Sequence, residues 1–352
     1  MDETRAHACT TRRRFAAVAA AAAAAVAAPA LRAQGKPEKT RVTIAVGGKA
    51  AFRCLPLTIS EQLGYFQAEG LDVEVIDVPA GAAPVQAIAA GAADVVSGAY
   101  EHTIQLQSRN QFFQAFVLQG RAPQVAVGVS TRTFPSLRSA ADLRGRRIGV
   151  SAPGSSANMV AHAVLARAGV KAGEVSYVGV GTSADALAAL RSGQIDAMSN
   201  TDPVMTMLEH RGEVRIIGDT RTLKGTREVF GGPMPAGCLY APQEFVQKNP
   251  NTCQALANAI VRALKWLQTA GPSDIIKTVP EAYLLGDRAL YLAAFDKVRE
   301  AISPDGVLAD DGARTAVKAL ASFEPTVKAD KIELARTYTN DFARRAKDKF
   351  KA

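Results

Sequence analysis

Ser151-Ala-Pro-Gly-Ser-Ser156 is a stretch whose residue types could do chemistry. It follows the apolar run Ile148–Val150 and precedes the helical pattern "SSANMVAHAVLARAG". Pro153 and Gly154 form a turn, and Ser155 or Ser156 can cap the helix. The first four N–H groups of a helix lack internal partners, and its dipole is positive at that end. The segment therefore aims N–H groups and hydroxyls at one point, which suits an anion. A phosphate, a reacting carbonyl or the acidic end of a carried solute would each fit. So would a serine that only caps its own helix.

Other chemistries are poorly supported. A nucleophile elbow needs G-x-S-x-G, but Gly149-Val-Ser-Ala-Pro153 ends in proline. His102, His162 and His210 complete no Ser/Asp/His order, and the Gly-Lys of a phosphate loop is missing. Gly179-Val-Gly181-Thr-Ser-Ala184 fits the loose dinucleotide fingerprint. It sits in the second strand–helix unit of its block, however, and reads equally well as a capped loop. Glu101 and His102 are adjacent, so their side chains diverge, and no H-x-x-x-H spacing occurs. No metal and no cofactor is expected. Past the N-terminal leader, Cys54, Cys238 and Cys253 lack zinc spacing. Buried free thiols are the default, with a Cys238–Cys253 disulfide as the alternative.

The N-terminus reads as an export signal. Arg12-Arg13-Arg14 precede an apolar run from Phe15 to Ala28, with small residues at Ala28, Ala30 and Ala33. The paired arginines before Phe15 suggest the twin-arginine type, with cleavage near Ala33. The run is shorter than the roughly 20 residues that span a bilayer. Residues 1–33 are therefore assigned to the signal and the mature protein to the periplasm. Without them the formal charge falls from +9 to +6. Basic residues are scattered and aromatics are 6% of the chain, so nucleic acid is not an expected partner.

The elements that must position the serines alternate. "RVTIAVGG", "LDVEVIDV", "AADVVSGA", "FFQAFVLQG" and "QVAVGVS" read as strands. "LPLTISEQLGYFQAEG" reads as one helix ended near Gly70, and "APVQAIAAG" as another. A second block repeats the order. "QAIAAGAADVVSG" aligns with "AALRSGQIDAMSN" at an offset of 102, so Gly91 falls on Gly193, Asp94 on Asp196 and Ser97 on Ser199. Ile44 and Ile148 match at an offset of 104. This order predicts two similarly wound α/β lobes with right-handed crossovers. After Pro242 helices dominate, one carrying Ala255, Ile260, Ala263, Leu264 and Leu267 on its buried face and Trp266 in a packing role. Further helices are expected around 287–302, 311–322 and 331–347, and "VPEAYLLGDRALYLAAFDKVREAI" reads as surface helices.

Polar and aromatic residues gather after the strands. These are Lys49, Phe52 and Arg53; Gly81; and Gly98, Tyr100, Glu101 and His102 in the first block. In the second they are Gly154, Ser155 and Ser156; Thr182 and Ser183; and Asn200, Thr201 and Asp202. Open α/β sheets bind ligands at the carboxyl ends of their strands, so facing lobes would gather these loops around one cleft.

"GYFQAEGLDVEV", "DLRGRRIGV" and "LRSGQIDAM", in this order, resemble the nitrate/sulfonate/taurine-type solute-binding proteins of ABC importers, and thiamine-pyrimidine-precursor binders. The resemblance runs from about Val42 to Lys265. It implies a two-lobed periplasmic-binding fold of type II. Lobe one would be residues 36–125 with 236–352, lobe two 126–235, with crossings carried by "QVAVGVS" and "PMPAGCLYAP". It implies a small organic anion in the cleft, no catalysis, a monomer, and an ABC permease and ATPase as partners. Ser155, Ser156 and the Gly98–His102 loop match the family's ligand loops best. The first loop, with Lys49 and Arg53, departs from the family pattern. The alternative is an enzyme on the same fold acting on a pyrimidine. A transcription regulator's effector lobe would need a DNA-binding domain where the signal lies.

Overall fold

The computed structural model describes residues 35–352. The export-signal reading falls on residues 1–33, outside the described residues.

Ten strands form two sheets of five. In chain order they are β1 (Arg41–Gly47), β2 (Asp72–Val78), β3 (Val95–Ala99), β4 (Phe113–Leu118), β5 (Val125–Ser130), β6 (Arg147–Val150), β7 (Ser176–Gly179), β8 (Ala197–Thr201), β9 (Val214–Asp219) and β10 (Gly237–Pro242). One sheet has the order β2-β1-β3-β10-β4 and the other β7-β6-β8-β5-β9. In each, the first three strands of the repeat are parallel and the strand that follows a crossing is antiparallel. The chain passes between the sheets twice, from β4 to β5 and from β9 to β10. β5 and β10 are thus strands inside the sheets, and the crossings run through the short segments that precede them.

The internal repeat is visible in the pairing. Ile44 pairs with Val95, and Ile148 with Ala197, the same place in each sheet. The shared aspartates explain why the motif recurs. Asp94 accepts a hydrogen bond from Thr43 N–H (3.0 Å) and meets Lys39 Nζ (2.6 Å). Asp196 accepts from Arg147 N–H (3.0 Å) and from its guanidinium (3.1 Å). Each carboxylate ties the entry to its third strand to the start of its first. Burial opposes ionisation of Asp196, but the hydrogen bonds and charge of Arg147 win and hold its pKa low.

Where the fold departs from expectation, local physics explains it. The single helix expected over 55–70 is two, Leu55–Gln62 and Tyr65–Ala68, because Gly64 takes a left-handed conformation (φ 67°) between them. The helix expected over 331–347 begins at Asp341. The residues before it lie along the edge of β4, where Ala115 N–H donates to Thr337 O (2.9 Å) and Thr339 N–H to Ala115 O (2.8 Å). The helix Arg288–Val298 is not superficial: Tyr291, Ala294, Phe295 and Val298 are buried in the core of the first sheet. The helix Pro250–Thr269 fills that core as read, with Ala255, Ile260, Ala263, Leu264 and Leu267 fully buried and Trp266 packed at its margin. Cys54, Cys238 and Cys253 are buried free thiols. Among the described residues no helix is long and apolar enough to cross a membrane.

Candidate functional site

The loops at the strand ends of the two sheets meet around a cavity of about 20 Å³, room for one or two waters. One wall comes from the first lobe: Arg53, Gly81, Gly98 and His102, with the Tyr240 side chain. The other comes from the second: Ser151, Ser155 and Ser156. The lobes touch beside it. A Cβ on Gly81 (φ 80°) would lie 2.8 Å from Pro153 O, and one on Gly48 2.5 Å from Thr182 Oγ1. Only glycine permits this approach, so the structure is that of a closed cleft.

Ser155 does cap its own helix: its Oγ accepts from Asn158 N–H (3.3 Å), in the helix Ser156–Arg167. It also accepts from the Ser151 hydroxyl (2.9 Å). Capping and cavity lining coexist in one residue. Gly154 (φ 76°) turns the chain into this helix, and its N–H donates to Asn158 Oδ1 (2.9 Å).

Opposite these serines lies Arg53. It is half-buried, its guanidinium donates to Gly47 O, and no carboxylate among the described residues forms an ion pair with it. Two titratable neighbours in the first lobe, Glu101 and His102, are both shifted toward their neutral forms. Glu101 is 1% exposed, and neither carboxylate oxygen has a well-formed hydrogen bond among the described residues. Burial raises its pKa, against the smaller opposing pulls of the Ser156 hydroxyl across the cleft and of Arg53. His102 is pushed down to about 4 by burial and by Arg53, so its ring is neutral at physiological pH. Its Nδ1 shares a hydrogen bond with Tyr240 OH (3.1 Å), and its Nε2 is buried without a partner. The site thus offers a guanidinium, hydroxyls, a helix start and a neutral imidazole. No general base is paired with an activated nucleophile.

Several sequence candidates lie elsewhere. Phe52 packs edge-on against Tyr291 (4.7 Å between ring centroids) in the core. It touches the second lobe only through its backbone, whose N–H donates to Asp202 O (3.3 Å). Lys49 pairs with Glu61 (2.8 Å) in its own lobe. Tyr100 OH bonds Thr337 Oγ1 (2.7 Å) in the interior. Asn200 binds Gly181 O (2.9 Å), and Thr201 belongs to β8 beside Val125. Asp202 is fully buried against Arg221, itself held by Asp219 (2.7 Å) and Glu209 (2.8 Å). These residues follow their strands as binding residues would, but their side chains turn into protein. The residues that sequence reasoning missed are Ser97, Ser151 and Tyr240. Ser97 had a signal, since it sits on the repeated G-x-x-D-x-x-S pattern; Tyr240 lies on the antiparallel strand and had none. Among the described residues no group of three His, Cys, Asp or Glu converges to hold a metal.

Two five-stranded mixed sheets with this order and two crossings define the periplasmic-binding-protein fold. The chain belongs to the NMT1/THI5-like family, whose model matches residues 51–272. A solved structure of a Bordetella bronchiseptica RB50 protein is 58% identical, covers 90% of this chain and all of that one, and has a TM-score of 0.88. The alkanesulfonate-binding protein SsuA of Xanthomonas axonopodis pv. citri, solved bound to MOPS, is 18% identical. It covers 86% of this chain and 99% of its own, with a TM-score of 0.68. The periplasmic nitrate-binding protein NrtA of Synechocystis PCC 6803 is 16% identical over 90% of both chains, with a TM-score of 0.66.

Proposed function

We propose that this chain is the periplasmic solute-binding component of an ABC importer. It captures a small organic anion, a sulfonate, carboxylate or similar group, and delivers it to an inner-membrane permease driven by an ATPase. The observation that carries this reading is Arg53, a half-buried cation without a carboxylate partner among the described residues, facing Ser155 and Ser156 across the cleft. A solute's acidic group would accept from the guanidinium on one side and from hydroxyls and helix N–H groups on the other. It would join the lobes and favour their closed arrangement. The lobes in this reading are residues 36–125 with 236–352, and 126–235. The ligands named by the neighbours SsuA and NrtA, alkanesulfonate and nitrate, are both anions. The leader at residues 1–33 is consistent with export, and the protein acts as a monomer.

Micromolar affinity needs about −8 kcal/mol. A few charge-assisted hydrogen bonds in a closing cleft, each contributing about 1.5–3 kcal/mol, reach that range. A thermal-shift screen of the mature chain against sulfonates, nitrate, carboxylates, aromatic acids and pyrimidines tests the reading. An anion should raise the melting temperature and be recovered unchanged. Chemical conversion of the hit, or stabilisation by neutral pyrimidines alone, would overturn it.

A further inference from the structure

We infer that the solute is an organic anion with an apolar, preferably aromatic, tail, and that the tail lies in a second compartment outside the closed head site. This rests on the binding reading above. The inner cavity, at about 20 Å³, holds a compact acidic head and little more. A second cavity of about 620 Å³ shares Gly81, His102 and Ser155 with it, so the two adjoin at these residues. That volume lies within the range of sites for drug-sized ligands.

The outer compartment is built between the lobes from Val85, Leu106, Met159 and Phe323, among others. Phe323 already offers its ring to stacking: His162 lies on it at 5.1 Å between centroids, 7° from parallel. Burial lowers the pKa of His162, against an opposing pull from Glu324, so the stack favours a neutral ring. The facing acid and base are already occupied, Glu324 by Gln105 (2.7 Å) and Arg109 (3.4 Å). That leaves apolar surface as the main thing on offer. Polar atoms without partners lie where the compartments adjoin. Asn158 lines the outer one, is 8% exposed, and its Nδ2 is buried with no partner among the described residues. His102 Nε2, on the wall of both, is in the same condition. A buried amide donor left open is costly unless something fills it. A second oxygen of the head, or a carbonyl just beyond it, would do so.

The test compares heads with and without tails by calorimetry on the mature chain. The probes are acetate and methanesulfonate against phenylacetate, 3-phenylpropionate and 2-phenylethanesulfonate. The tailed anions should bind at least tenfold more tightly. Phe323→Ala should cut that preference several-fold. Ala89→Trp, which fills the outer compartment from an exposed helix position, should abolish it, with head-only affinity unchanged in both. Equal affinity for tailed and tailless anions, or a preference that survives Ala89→Trp, overturns the inference and leaves the binding reading standing. Failure of every anion to bind the wild-type chain overturns both.

Discussion

The two lobes share a strand order, yet use the same position for different ends. At the end of its third strand, lobe one reads Gly98-Ala-Tyr-Glu-His102, and lobe two Asn200-Thr-Asp-Pro-Val204. Tyr100 and Asp202 are equivalent, and both turn inward, to Thr337 and to Arg221. The next two residues separate the lobes. Lobe one has the buried Glu101 and, at the cavity wall, His102, where lobe two has Pro203 and Val204. Lobe two contributes its chemistry two strands earlier, at the Ser155 helix start after β6. At the same place, after β1, lobe one has Arg53 and the helix Leu55–Gln62, which carries no side-chain cap. Duplication supplied two equal frames: both lobes give the cleft the loop after their first strand, and lobe one adds the loop after its third.

The contrast breaks most sharply at Arg221. Arg221→Met leaves Asp202 buried and unpaired beside Thr206, and should cost about 3–5 kcal/mol. Chemical denaturation would show this as a lower midpoint, whereas the corresponding lobe-one residues carry no such network. A smaller effect is expected at the helix start. Ser155→Ala removes the cap and the Ser151 contact, and should cost about 1 kcal/mol of stability. It should also weaken any anionic ligand, which separates its two roles when denaturation and calorimetry are run together.

Acid tests separate Asp196 of lobe two from Glu101 of lobe one by sign. Asp196 has a lowered pKa, so its contribution is present above the ordinary carboxylate range and is lost as pH falls through the lowered value. Asp196→Asn should therefore lower stability at pH 7 by about 1 kcal/mol, with a lower melting temperature, and matter less near pH 3. Glu101 is the reverse. Its raised pKa means that the folded protein is most stable with it protonated, and that this is lost as pH rises through the raised value. Glu101→Gln should raise the melting temperature at pH 7 and leave it unchanged near pH 4. A fall at pH 7 would show that the ionised carboxylate holds the cleft together.

Most of this frame could be read in the sequence, because strand–helix alternation and a repeat offset are properties of order. Gly91 with Gly193 and Asp94 with Asp196 carry the repeat, and the pairing register places them alike. The cleft was legible only in outline. A loop after a strand lies near the site, but which way its side chains turn depends on partners far along the chain. Asp202 is drawn inward by Arg221, Tyr100 by Thr337 and Phe52 by Tyr291. Such partners, between 19 and 239 residues away, leave no local pattern. Ser155 and Ser156 were legible because a helix cap is a local device. Tyr240 was not, since it enters the site from β10, an antiparallel strand that joins the first sheet only after the return crossing.

The most direct measurement is the calorimetric dissociation constant of Arg53→Gln and of Asp202→Asn for the tightest-binding anion of the screen. The account predicts that Arg53→Gln weakens binding roughly 10- to 100-fold, as loss of a charge-assisted hydrogen bond implies. Asp202→Asn should change the melting temperature and leave affinity within about twofold, since two other carboxylates still hold Arg221. Unchanged affinity in Arg53→Gln, or a large loss in Asp202→Asn, would contradict the assignment of binding to the one loop and holding to the other.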